Sequence, residues 1–381
     1  MPKDHNRSHT PTDRIIQGYV KWWTMHLKRA PIPSSSPQEP IRQVPSWSPN
    51  SNEPTAMTRT IITIVIGLLA AQSALQARSP QMSAERKAQI ELGRRLFYEA
   101  DLSINGTMSC ATCHEQRRAF ADGNQVHPGA LDDPGKRNVP GLANIGAFKN
   151  LTWAHNRLSG LAEQSLMPMR GTDPVEMGMN GHEAEIGKRL GQNECYQKLF
   201  LRAFPKEKGS IHIGTVSRAL ESFQKTFISY DSLYDRVSKK NLPLPTKEAR
   251  AGEKLFFGAA KCNTCHSAPL FSDDDFHDVQ PKNPEPENRI QDYGLSDVTG
   301  NLKDKNFFRT PSLRNAALTA PYWHDGSAKT LADAIRKHDL KINLTLNHQE
   351  IDDLIAFIDV LSDTTFVNNP EYAKPAKECP Y

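Results

Sequence analysis

Two pentapeptides decide the fold: Cys110-Ala-Thr-Cys113-His114 and Cys262-Asn-Thr-Cys265-His266. In each, two thiols stand one helical turn apart and a histidine follows at once. That spacing lets the thiols reach the two vinyl groups of one haem while the imidazole sits under the iron as proximal ligand. Zinc knuckles and thioredoxin-like dithiols also use paired cysteines. A zinc site would draw all four cysteines into one cluster and leave each following histidine without a task. The repeated pentapeptide therefore predicts two covalently bound haem c groups, one on Cys110, Cys113 and His114, the other on Cys262, Cys265 and His266.

The flanks repeat as well. Gly93-Arg-Arg-Leu96-Phe97-Tyr98 precedes the first pentapeptide, and Gly252-Glu-Lys-Leu255-Phe256-Phe257 precedes the second. Both read as short helices with an apolar end. Well downstream of each site an amphipathic helix follows. Ile213, Val216, Leu220, Phe223 and Phe227 fall at steps of three and four, as do Ile351, Leu354, Ile355, Ile358 and Leu361. Strand signal is weak throughout. The expected fold is mainly α, two cytochrome c-like haem domains packed together, spanning 84–241 and 247–368. Leu242-Pro-Leu-Pro-Thr246 serves as linker, and 280–287 as a Pro-rich surface loop.

Charge excludes a nucleic-acid partner. Of 47 Lys/Arg and 43 Asp/Glu, eight and four fall in residues 1–77, which leaves 39 of each sign in the body. No basic footprint remains. Those first residues speak instead of compartment. From Met57 the chain reads Met-Thr-Arg, an apolar run from Ile61 to Ala71, then small and polar residues to Ala77, the order of a secretory signal peptide. The run is too short for a permanent membrane span. Ala71-Gln72-Ser73 is the better cleavage triplet, Leu75-Gln76-Ala77 the poorer. Residues 57–77 are thus expected to direct Sec export to the periplasm, with Met57 the true start and 1–56 a non-native or disordered extension. The alternative is a disordered tail ahead of a membrane anchor.

What each iron carries opposite its proximal histidine separates an electron carrier from a catalyst. All nine methionines lie at or before Met179, so the second haem has no methionine in its own half. Later candidates are His277, His324, His338, His348, Tyr293, Tyr322, Tyr372 and Tyr381. Taken singly, each is more often a surface or hydrogen-bonded side chain, and the residues alone do not choose.

From Glu91 to Pro370 the chain resembles the bacterial diheme cytochrome c peroxidases and their MauG-type relatives. The resemblance rests on Leu92-Gly-Arg-Arg-Leu-Phe-Tyr98, Lys136-Arg-Asn-Val-Pro140, Leu151-Thr-Trp153, Glu163-Gln164 with Pro168, and Asp173-Pro-Val-Glu-Met177. Both pentapeptides, Phe308-Arg-Thr-Pro-Ser-Leu-Arg-Asn315 and Leu318-Thr-Ala-Pro-Tyr-Trp-His-Asp-Gly326 complete it. It implies that the haem on His114 is the peroxidatic one and that the other relays electrons. Gln164 and Glu176 match the distal-pocket pair, Trp153 the aromatic between the haems, and Asn138, Thr319 and Pro321 an inter-haem calcium site, the last two through carbonyls. Oxygen-only ligation suits a hard cation. A carboxylate in an apolar pocket suits the proton shuttle that O–O heterolysis needs, because burial raises its pKa.

Two departures from the family pattern stand out. The position that caps the second haem with Met or Tyr is His338 here, which agrees with the lack of late methionines and implies a bis-His, low-spin, lower-potential haem. The loop His that closes the first haem in some peroxidases aligns with Ala130, with His127 three residues away. The expected function is periplasmic reduction of H2O2 with electrons from a small cytochrome c or cupredoxin. One alternative is a MauG-like enzyme that uses peroxide to oxidise residues of a partner protein; another is a non-catalytic diheme electron carrier. A homodimer is compatible with each. Cys195 and Cys379 are left over: a disulfide and free thiols are both open.

Overall fold

The computed structural model describes residues 82–278, 292–342 and 344–380. The extension 1–56, the signal-like stretch 57–77 and the Pro-rich loop 280–287 lie outside these residues. The described residues all fall within one compact unit, and it is mainly helical. The helices are α1 (Ala84–Phe97), α2 (Cys110–Cys113), α3 (Leu161–Arg170), α4 (Glu183–Gly191), α5 (Glu194–Ala203) and α6 (Ile213–Gln224), followed by α7 (Leu233–Ser238), α8 (Lys247–Phe257), α9 (Ser296–Thr299), α10 (Leu331–Ile342), α11 (His348–Asp359) and α12 (Thr364–Val367). Among the described residues, strand structure is confined to β1 (Phe276–Asp278) and β2 (Phe307–Arg309), paired antiparallel with Phe276 opposite Arg309. No described helix is long and apolar enough to cross a membrane.

Helix starts follow local chemistry. Ser83 caps α1 by accepting the Arg86 amide at 3.1 Å, Thr246 caps α8 by accepting that of Ala249 at 3.1 Å, and Asn347 and Glu350 form a capping box on α11. The stripe Ala88, Leu92, Leu96, Phe97 on α1 is buried against α6, and α8 packs in the same way on α11.

One glycine makes each crossing possible. A Cβ at Gly93 would lie 1.9 Å from the Ala219 carbonyl oxygen and 2.9 Å from Phe223 Cβ; at Gly252 it would lie 1.9 Å from the Asp353 oxygen and 2.9 Å from Phe357 Cβ. The backbones touch there, and a methyl group has no room. The repeat read from Gly93 and Gly252 is therefore a repeat of helix crossing.

The larger core centres on Phe97, Phe120, Phe223 and Phe227, with Phe120 and Phe227 stacked at 4.1 Å. Each such ring contributes roughly 1.5–3 kcal/mol by burial. Phe366 and Tyr372 join this cluster, so the end of the chain returns to its first half. Arg94 and Arg95 hold that tail by donating to the carbonyls of Pro370, Ala373, Ala376 and Glu378. A Cys195–Cys379 disulfide fastens it, which resolves the open question of the two extra cysteines. A smaller core, with Phe256, Phe271, Leu354 and Phe357, supports the second half. There Arg314 makes a buried two-pronged ion pair to Asp235, at 2.8 and 2.9 Å.

Candidate active site

The backbone around the first pentapeptide is shaped for its histidine. After His114 the chain reverses through Ala119 and Phe120, both left-handed, at φ 51° and 62°. The turn closes through Glu115 N–H to Ala121 O at 3.0 Å and brings the Phe120 carbonyl to 2.6 Å from His114 Nδ1. A carbonyl only accepts, so Nδ1 carries the proton and Nε2 keeps its lone pair for a metal. The second site repeats the device. Phe271 is left-handed at φ 53°, and its carbonyl lies 3.2 Å from His266 Nδ1. Burial lowers the pKa of both imidazoles, that of His266 to about 4, so both rings are neutral at physiological pH.

A further internal repeat, absent from the reading of the sequence, frames these histidines. The backbone carbonyls of Pro140 and Pro311 lie within hydrogen-bonding influence of His114 and His266. Four residues after each proline comes a left-handed asparagine, Asn144 at φ 58° and Asn315 at φ 63°, and then a 3-10 turn. The spacing Pro-x-x-x-Asn was visible in the chain and would have found it.

The four cysteines do not gather. Among the described residues the one grouping with metal-ligand geometry is Cys265, Asp273 and His277, which takes a single cysteine. Burial pushes the Cys110 and Cys113 thiols up to about 12 and Cys262 to about 11. Such thiols stay protonated at neutral pH, which argues against a reactive dithiol, and a zinc site fails because the four cysteines form no common cluster among the described residues.

Gln164 lies half-buried on α3. The segment after α3 folds back on it: Met177 N–H donates to Pro168 O at 2.9 Å and Met179 N–H to Met169 O at 2.8 Å. Glu176 is carried on that return. Its side chain is accessible yet lies within electrostatic reach of Cys110 and Cys113. Desolvation raises its pKa above 4.5, opposed in part by His127. The loop bearing His127 is zipped onto this segment. Ala130 N–H donates to the Glu176 carbonyl at 2.7 Å, and a Cβ on Gly129 would lie 1.8 Å from Val175 O. His127 and Ala130 thus reach the Glu176 segment from one side.

The second pentapeptide opens into a cavity of about 290 Å³ lined by Cys262, Cys265, His266, His338, Trp153 and Arg309. His338, on α10, faces His266 with ring centres 6.3 Å apart. Two imidazoles sharing one iron, each nitrogen about 2 Å from it, would hold their ring centres roughly 6 Å apart. His338 Nδ1 donates to Ala334 O at 2.8 Å, again leaving Nε2 for a metal. Trp323, left-handed at φ 79°, sets its ring edge-on to His338 at 4.9 Å. The other candidates have other partners, although His277, Tyr322 and His324 line the same cavity. His277 binds Asp273 at 2.8 Å, His324 stacks on Phe308 at 3.6 Å, His348 is exposed, Tyr293 lies under Lys305, Tyr322 donates to Ala316 O, and Tyr372 belongs to the first core. Tyr381 lies outside the described residues.

Trp153 is buried, and its Nε1 donates to Asn138 O at 2.7 Å. Asn138 spends its Nδ2 on the carbonyls of Asn124 and Gln125 at 3.2 Å each, so its amide oxygen stays available. Asn138, Thr319 and Pro321 all line the cavity that holds Trp153.

Residues 87–242 match the family model described as di-haem cytochrome c peroxidase. The MauG methylamine utilization protein of Methylophilus methylotrophus is 33% identical over 71% of this chain and 81% of its own. The chain belongs to the di-haem cytochrome c peroxidase and MauG family. It is accordingly an oxidoreductase of the peroxidase type with two haem c cofactors. The cytochrome c551 peroxidase of Pseudomonas aeruginosa is 30% identical over 72% of this chain and 78% of its own. Among solved structures, a MauG-like protein associated with microbial copper homeostasis superposes with a TM-score of 0.69 at 35% identity, over 76% of this chain and 93% of that one.

Proposed function

We propose that the chain is a periplasmic peroxidase that reduces H2O2 at the haem on His114, with electrons entering through the haem on His266. When bound, the haem at the first site supplies the redox chemistry: H2O2, two electrons and two protons give two waters. The protein supplies the proton handling. Ionised Glu176 accepts the proton of one peroxide oxygen and returns it to the departing oxygen, which leaves as water. The half-buried amide of Gln164, on the helix to which the Glu176 segment is tied, orients the peroxide. Trp153, clamped through Nε1, is the aromatic relay between the two sites. His338 is proposed as distal ligand of the second haem, which closes that site to peroxide and leaves it to electron transfer. Asn138, Thr319 and Pro321 are proposed to bind Ca2+ through oxygen alone.

The observation that carries this reading is the contrast between the two sites. One imidazole faces another at 6.3 Å across the second; the first sets a raised carboxylate near its cysteines. The periplasmic location rests on the signal-like stretch 57–77 and on covalent haem chemistry. A small cytochrome c or cupredoxin is the proposed donor. Likeness to proteins named MauG favours a second reading, in which peroxide drives oxidation of a partner protein. Stopped-flow mixing with H2O2 in the presence of reduced cytochrome c separates them. Continuous donor oxidation supports the first; a long-lived oxidised enzyme that ignores the donor supports the second. Indifference to peroxide supports a plain carrier and rejects both.

A further inference from the structure

Arg309 has no part in the chemistry proposed above, and its setting is unusual. It is 4% exposed, and among the described residues its NH1 has no hydrogen-bond partner. The side chain lines the cavity that holds His266 and His338. Its other contacts pin it from behind. Nε donates to Thr152 O at 3.2 Å, the guanidinium lies over the Phe148 ring at 5.1 Å, and its own backbone N–H donates to Trp153 O at 2.7 Å. The acid within electrostatic reach, Asp274, is occupied: its carboxylate accepts the amides of Lys149 and Asn150 at 2.6 and 3.2 Å.

A buried guanidinium with an unmet donor is costly unless an anion arrives to meet it. Arginine's planar fork favours a carboxylate. Haem c brings two propionate carboxylates. We propose that Arg309 binds a propionate of the second haem through NH1, and so fixes that haem to the Trp153 segment and raises its reduction potential. The inference rests on the assignment of haem to Cys262, Cys265 and His266. Arg309 is a positioning residue here, and its backbone bond to Trp153 couples propionate, haem and relay in one unit.

The test is the midpoint potential of the second haem, by spectroelectrochemistry on the purified two-haem protein. Without the guanidinium, the buried carboxylate's negative charge stands uncompensated and favours the ferric state. R309M, which keeps length and apolar packing, is expected to shift the reduction equilibrium about tenfold towards ferric, a fall of about 59 mV for one electron. R309K, which keeps the charge, should restore most of it. If R309M does not load haem, R309Q against R309K gives the same comparison. Potentials equal to wild type in the uncharged variants, or an R309K as low as R309M, overturn the proposal. A wild-type mass that lacks the second haem overturns the site assignment instead, so the two failures are told apart.

Discussion

Glu176→Gln is the perturbation that most sharply separates chemistry from scaffold at the first site. The ties that hold the segment run through backbone. Ala130 N–H donates to the Glu176 carbonyl and Met177 N–H to Pro168 O, and neither bond changes when the side chain does. Gln has the same size and reach but cannot accept a proton, so the fold should persist while the shuttle is lost. A positioned proton-transfer group contributes about 100- to 10,000-fold, which is about 2.7–5.4 kcal/mol of barrier. Peroxide-dependent oxidation of reduced cytochrome c, followed by stopped flow with unchanged haem content, reads this directly. The pH profile adds a second signature. Desolvation raises the Glu176 pKa, and the base form is the working one. Wild-type rate should therefore rise with pH through a midpoint above 4.5, and the E176Q profile should lack that limb. A loss below tenfold, or an acid limb that survives in E176Q, refutes the shuttle.

Other outcomes follow from the same geometry. His127 lowers the Glu176 pKa, so H127A should move the acid limb of the rate profile to higher pH; a limb that stays or moves down contradicts this. H338M should raise the second haem's potential, because a Met/His pair favours the reduced haem, and replace the bis-His EPR signal; an unchanged signal means another residue is the ligand. G93A and G252A should each destabilise, by about 1–3 kcal/mol or more, in denaturant unfolding; a neutral result at either would show that the helices can part at no cost. Reducing Cys195–Cys379, whose partners are 184 residues apart, should remove up to about 5 kcal/mol by chain entropy. Peroxidase activity should be kept where the carbonyls held by Arg94 and Arg95 still secure the tail.

Much of this was legible in the chain. The pentapeptides announce their own chemistry, and Gly93 and Gly252 stand in a visible repeat whose reason, backbone contact at two helix crossings, needs coordinates. Helices α6 and α11 follow their apolar spacing, though Phe227 and Leu361 lie just past the helix ends and are buried by the turns that follow. Less legible was anything that depends on a carbonyl direction. The left-handed Ala119, Phe120 and Phe271 carry no glycine or asparagine signal, because tertiary packing rather than local propensity holds them there. The path of the C-terminal tail was hidden for a similar reason. Its anchors, Arg94 and Arg95, bind backbone oxygens, which every residue has. Arg309 was hidden too: as a letter in Phe308-Arg-Thr-Pro it looks like any surface cation, and only its burial with an idle NH1 marks it.

The proposed mechanism turns on an asymmetry, one haem site accessible to oxidant and one capped by histidine. The EPR spectrum of the ferric protein, taken before and after one equivalent of H2O2, tests it most directly. One high-spin signal that peroxide removes is expected, beside a low-spin bis-histidine signal lost in H338A. Two low-spin signals that peroxide leaves untouched would contradict it.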